Sequence, residues 1–326
     1  QTFVYVGAEA DGLYRKEHND SQWTKLSKGM PPSPQVRAIA IDPRNSSTLF
    51  VGTQRGVYRS KDSGDSFERM NMDEGRIVWS IKFHPNNPDI MFLGTEGSEV
   101  YRSDDAGANW EYVSTIINKD SVQMAFATRI LGIGIEPDEP QQMYAALEVG
   151  GAAHSSDSGK TWDIVNKEFD GDVGLMDLHG GSVGGPGSKS VYISNRTGVW
   201  KSTDRGQNWQ DLNFEKFSDI RYSRGVETSP NDPNTLYACV GLNFGSEQGG
   251  VMRTTDGGDS WTRFDQGVNA LSTTFGVAIN EHSPDQVYFC TRKGQVFGTL
   301  DGGNSWKEHL LPEIAANVKA IACTSG

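Results

Sequence analysis

The chain has 326 residues, of which 36% are hydrophobic and 38 are glycine. With the glycines included, nearly half of it is apolar, a globular composition that excludes intrinsic disorder and a fibrous fold. The net charge of −12 argues against a nucleic-acid or anionic-membrane surface, and no run approaches the roughly 18 apolar residues of a membrane span.

The first strand signal is Thr2-Phe-Val-Tyr-Val-Gly7, followed by Gly12-Leu-Tyr14-Arg15 and a segment ending at Trp23. From there a repeat governs the chain. An apolar run closes on a proline, as in Arg37-Ala-Ile-Ala-Ile-Asp-Pro43 and Leu131-Gly-Ile-Gly-Ile-Glu-Pro137. A second run follows (Leu49-Phe-Val-Gly-Thr53, Leu236-Tyr-Ala-Cys-Val240), then a third of the type Gly56-Val-Tyr-Arg-Ser60. Short apolar runs bounded by Gly, Pro, Asn and Asp are strand signals. Each third run leads into Ser/Thr-x-Asp-x-Gly-x-x-Trp/Phe, with its Asp at 62, 105, 157, 204, 256 and 301. The aromatic anchors fall at 23, 67, 110, 162, 209, 261 and 306, which is 43 to 52 residues apart. That period fits four short strands with their turns, one blade of a propeller. The last run, Val318-Lys-Ala-Ile-Ala-Cys-Thr324, reads as a first strand without a second. The N-terminal run reads as a second strand without a first. The two ends are therefore expected to complete the first blade together.

The chain resembles the Asp-box (BNR-type) seven-bladed β-propellers over essentially its whole length. An all-β fold follows, with four-stranded antiparallel blades in a single domain over residues 1–326. Such boxes occur in sialidases, sortilin-type receptors, xyloglucan-cleaving glycosidases and photosystem II assembly factors. The resemblance implies that the box is a structural turn. Asp and Ser oxygens accept backbone N–H bonds there, so the six Asp are expected to be structural. Val4 to Arg15 is similar to the opening stretch of the xyloglucan-cleaving enzymes, and Asp11 matches a carboxylate that is catalytic in them. The six-bladed sialidases, with their three-arginine clamp, fit less well.

A propeller binds ligands at one mouth of its central channel, and blade alignment gives the residues expected there. Inner strands begin at Arg37, Trp79, Leu131, Arg224, Thr274 and Lys319; Arg129 and Tyr222 lie two residues before that ring. Second strands end at Glu9, Gln54, Glu96, Glu148, Arg196, Gly241 and Arg292, which puts acids and bases on opposite arcs. Cations converging on a narrow channel repel unless an anion joins them. Arg37, Trp79, Arg129, Arg196, Tyr222, Arg224, Arg292 and Lys319 are thus the substrate-binding candidates. Glu9, Glu96 and Glu148 are candidates for acid/base work or for a divalent cation; the plainer reading pairs them with the arginines. The fifth blade breaks pattern at Asp177-Leu-His179-Gly-Gly, where Asp177 and His179 would share one strand face and act as an oriented base. Two enlarged loops, Asn118 to Thr128 and Asn243 to Gly250, belong on the same mouth.

Function at this stage divides in two. One reading is a hydrolase or lyase acting on a small anionic or sugar-like ligand. The other is a non-catalytic scaffold or assembly factor with a protein partner. Cys239, Cys290 and Cys323 form no disulfide framework. They lean toward the cytoplasm, whereas a first residue Gln1 leaves a removed signal peptide, and so a periplasmic or secreted protein, open.

Overall fold

The structure is a computed structural model and describes residues 1–9, 11–169, 171–312 and 317–325. Seven four-stranded antiparallel sheets are arranged as the blades of a propeller. Six blades run in chain order. In the first, Val318–Ser325 is the innermost strand and pairs with Thr2–Ala8, which continues into Gly12–Glu17 and Thr24–Leu26. Phe3 lies opposite Thr324 and Tyr5 opposite Ala322. Both ends of the chain thus close one blade, and Thr2–Ala8 is paired on both sides instead of being left as the inner edge.

Period-two alternation in each strand sends side chains toward both neighbouring blades. The core is accordingly a set of inter-blade clusters. One gathers Tyr5, Leu13, Leu49 and Phe67; another gathers Phe50, Met91, Tyr101 and Trp110. The boxes anchor these seams. Ser60 Oγ accepts from Gly64 N at 2.8 Å and donates to Asp62 Oδ1 at 2.7 Å, and Asp62 Oδ1 accepts from Ser66 N at 2.9 Å. The same bonds recur around Asp105, Asp157, Asp204, Asp256 and Asp301. Five of the six boxes also donate a backbone bond to their own blade's proline-turn hairpin, as from Ser63 N to Ser47 O and from Gly257 N to Asn234 O. Boxes and proline turns therefore share one face, and the other face is free to carry a site.

One local expectation needs correcting. Asp177 and His179 do not alternate along a strand. Asp177 caps the C-terminus of a one-turn helix, Val173–Met176, and the inner strand of the fifth blade begins only at Gly180–Val183. Asp172 accepts from Gly174 N and Leu175 N and so starts the helix. Glycine-rich sequence after His179 keeps the strand short.

Candidate functional site

The mouth opposite the boxes holds a cavity of about 640 Å³. Its wall includes Arg129, Glu148, Asp177, Arg196, Tyr222, Arg224 and Lys319, together with Met124 and Phe126 from one enlarged loop and Leu242 to Phe244 from the other. Below it the channel, about 490 Å³, runs past Arg37, Trp79 and Glu227 to Asp42 and Glu281 on the box face. Blade alignment finds the charged wall from sequence, because equivalent strand ends must meet at the axis. The aromatic part is found only as loop length: Phe126 and Phe244 lie outside the repeat, and no alignment column holds them.

The acidic arc is tied to cations. Glu9 accepts from Arg37 Nη2 at 3.1 Å and faces Lys319 Nζ at 3.6 Å. Arg129 reaches two carboxylates, Glu148 Oε2 at 2.9 Å and Glu96 Oε2 at 3.3 Å, and Trp79 Nε1 also donates to Glu96. The Arg129 guanidinium sits between rings, 4.0 Å from the centroid of Phe126 and 4.3 Å from that of Trp79. The Arg37 guanidinium also lies over Trp79, 4.7 Å from its ring centroid. Burial pulls both Arg37 and Lys319 below their ordinary pKa, against the pull of Glu9. Among the described residues no three His, Cys, Asp or Glu side chains gather closely enough to hold a metal.

The His179 imidazole is fully buried. Its Nδ1 lies 2.6 Å from the Ser223 carbonyl, and its Nε2 lies 3.3 Å from Asp177 Oδ2 without a hydrogen bond. Donation from Nδ1 to a carbonyl fixes one tautomer. Burial, with Arg224 nearby, pulls the ring below its ordinary pKa, against Asp177. Burial opposes ionisation of Asp177, but His179 and Arg196 outweigh it and hold the carboxyl at about 2. Arg196 Nε donates to Asp177 at 2.8 Å. The pair is therefore close, as the sequence suggests; Asp177 lines the mouth cavity and His179 the channel below it, both with nearly all of their side-chain surface buried.

On blades six and seven the pattern changes. Arg224 has as its polar side-chain contact the Tyr222 hydroxyl at 3.4 Å, and it lies 4.7 Å from the Phe275 ring. Tyr222 packs on His179 with ring centroids 5.0 Å apart, and burial raises its pKa. Arg292 donates to Asn317 Oδ1 at 3.3 Å. Asp11 lies away from this wall, in the first hairpin turn, where it accepts from Tyr14 and Lys25.

The model of the Sortilin-Vps10 family, described as sortilin, neurotensin receptor 3, matches residues 55–130 and 150–274. A xyloglucanase of a Paenibacillus species is 24% identical over 319 residues, which is 80% of this chain and 30% of that protein. The chain thus spans about a third of the length of the curated relatives it matches. The GH74 xyloglucanase of Xanthomonas campestris superposes with a TM-score of 0.68 at 18% identity, covering 99% of this chain and 52% of the other. YCF48 bound to D1 peptide superposes at 0.61 and 15% identity, covering 96% and 89%.

Proposed function

The chain belongs to the Sortilin-Vps10 family, and from that premise we propose that its channel mouth is the active site of a hydrolase acting on an anionic, carbohydrate-like substrate. One observation carries the reading: Arg129 holds Glu96 and Glu148 on a single guanidinium, across the cavity from Arg224. Cleaving a glycosidic bond takes two carboxyl groups, one to protonate the leaving oxygen and one to activate water or attack the anomeric carbon. Glu148 lines the cavity and is placed for proton transfer, with Glu96 as its partner. Both carboxylates are ion-paired with Arg129, so productive binding has to draw one of them away from it. Arg224 takes the negative group of the substrate as a charge-assisted fork, and Tyr222 positions that arginine. The xyloglucanase relatives support the substrate class.

A second reading, a peptide- or protein-binding scaffold, is favoured by the rim. Met124, Leu242 and Phe244 are all well exposed there, and exposed apolar side chains around a charged cleft suit a protein partner. YCF48, a propeller of similar extent, is described bound to a peptide.

The test is release of reducing ends from xyloglucan and from uronate-bearing oligosaccharides. Wild type should release them, and Glu148→Gln should lose ~10²- to 10⁴-fold in rate, the range for a general acid or base, with its melting temperature preserved. An unsaturated product would turn the reading from hydrolase to lyase. No release from any of these glycans would move the scaffold reading ahead.

A further inference from the structure

The mouth is electrically lopsided. On blades one to five each cation of the wall meets a carboxylate: Arg37 and Lys319 meet Glu9, Arg129 meets Glu96 and Glu148, and Arg196 meets Asp177. On blades six and seven, Arg224 and Arg292 have no carboxylate within ion-pair distance among the described residues; their side-chain partners are Tyr222 and Asn317. The Nε atoms of both are buried and have no hydrogen-bond partner. Leaving a buried donor unpaired is costly, and more so for a charged group.

These charges share one neighbour. The Phe244 ring centroid lies 5.1 Å from Arg292, 5.9 Å from Arg224 and 5.9 Å from Lys319 Nζ. The ring is held in place by its loop. Thr273 Oγ1 donates to Asn243 O at 2.5 Å, and Gly245 N donates to Asn243 Oδ1 at 2.9 Å. An aromatic face attracts a cation modestly. It neutralises no charge and satisfies no N–H. Of the three cations around this ring only Lys319 meets a carboxylate, Glu9, and shares it with Arg37; the group therefore lacks at least one negative charge.

Resting on the reading of this mouth as the substrate site, we propose that the ligand carries two negative charges here: two carboxylates a few ångström apart, or one doubly charged oxyanion. Arg224 takes one charge. Arg292 and Lys319 take the other beneath Phe244, whose ring covers the apolar side of the ligand and keeps water from the ion pairs. A monoanion would satisfy one guanidinium and leave the second as it is.

Calorimetric titration of the full chain with succinate, inorganic phosphate and acetate at one ionic strength tests this. One of the first two should bind about 10- to 100-fold tighter than acetate, the equivalent of one added charge-assisted hydrogen bond. Whichever wins identifies the dianion as a dicarboxylate or a compact oxyanion. Arg292→Gln should bring that ligand down to the acetate level and leave acetate unchanged. If that variant does not fold, Lys319→Gln should lower the preference in the same way. Equal affinity for all three anions, or a preference that survives both substitutions, overturns the inference. A dianion preference without glycan hydrolysis would sink the hydrolase and leave this inference standing. Hydrolysis of a neutral glycan with no dianion preference would do the reverse.

Discussion

The two faces of the propeller obey different rules. On the box face six turns repeat one set of bonds, from Asp62 to Asp301, with donor–acceptor distances that scarcely change. On the mouth face the blades diverge. Equivalent strand starts carry Arg37, Trp79, Leu131, Arg224, Thr274 and Lys319. Repetition is what a shared mechanical task requires, because every blade must turn the chain and seal a seam. Variation at positions that converge on one axis is what recognition requires, because a ligand is not seven-fold symmetric. Carboxylates on the two faces consequently mean different things. Asp62 and Asp256 are held at about 2 by hydroxyl and backbone hydrogen bonds within their own turns, whereas Glu96 and Glu148 come from two different blades and share ion pairs with one arginine, Arg129.

The largest test removes the element that serves both faces. The strand Val318–Ser325 carries Lys319 at the mouth and pairs along its whole length with Thr2–Ala8. Deleting residues 318–326 should expose an inner sheet edge and give aggregated or early-melting protein, read by scattering and calorimetry. A soluble truncation that melts normally would mean that the first blade does not depend on its closure.

The sequence makes this closure legible, because a first strand without a second and a second without a first can only be halves of one blade. It also makes the six boxes and the charged wall legible, since all are columns of a repeat. The Glu9, Glu96 and Glu148 pairings were the plainer of two readings, and spacing alone could not choose, since side-chain reach depends on how blades tilt around the axis. The Asp177–His179 geometry was not legible, because a one-turn helix capped by Asp172 interrupts the strand pattern that the alternation argument relied on. The aromatics were hidden for a related reason: Phe126 and Phe244 belong to loops, where period carries no information.

Between the faces lies a seam that sharpens the comparison by failing for a different reason. His18 and His309 meet with ring centroids 5.0 Å apart where the first blade packs on the seventh, and His18 Nδ1 lies 2.6 Å from the Tyr288 hydroxyl. Neither ring nitrogen of His309 has a partner, and the residue is 1% exposed. Lys16 and Lys307 flank the pair, and Asp20 is the acid that acts on Lys16. Burial, then Lys16, His18 and Lys307, push His309 down to about 3. Its folded pKa lies below the unfolded value of about 6.5. The stability it contributes is therefore complete above that value and is lost as pH falls toward 3. Going from pH 7.5 to 5 should cost at most about 2 kcal/mol from this one group. His309→Phe should flatten that part of the melting curve's pH dependence. An unchanged pH profile in the variant would place the acid sensitivity elsewhere.

A smaller effect separates the faces directly. Asp256→Ala removes the acceptor for Ser260 N and the partner of the Thr254 hydroxyl, and should cost ~1–2 kcal/mol, as for a lost turn or capping side chain. Anion affinity at the mouth, measured by calorimetry on the folded variant, should not move. A variant of full stability with weakened binding would collapse the distinction between the two faces.

The smallest effect concerns the boxes alone. The residue between Asp and Gly is left-handed in every one of them, as is the Gly itself. Blades six and seven use glycine there, Gly257 at φ 71° and Gly302 at 68°. Blades two to five use Ser63, Ala106, Ser158 and Arg205, at 59°, 54°, 63° and 62°. A Cβ in that region is a steric penalty that glycine escapes. Ser63, Ser158 and Arg205 have side chains that can offset it, and Arg205 does so by ion pairs with Glu136 and Glu139. Ala106 has nothing to offer in return. Its amide donates to Asp89 O at 2.9 Å, so the turn is fixed whatever side chain it carries. Ala106→Gly should therefore stabilise the protein, by under about 1 kcal/mol, because relief of the strain exceeds the entropy that glycine adds to the unfolded chain. Thermal melting of the two proteins side by side decides it. A lower melting temperature for the glycine variant would mean that the box turn is relaxed with alanine in it, and that blades two to five carry no strain that blades six and seven avoid.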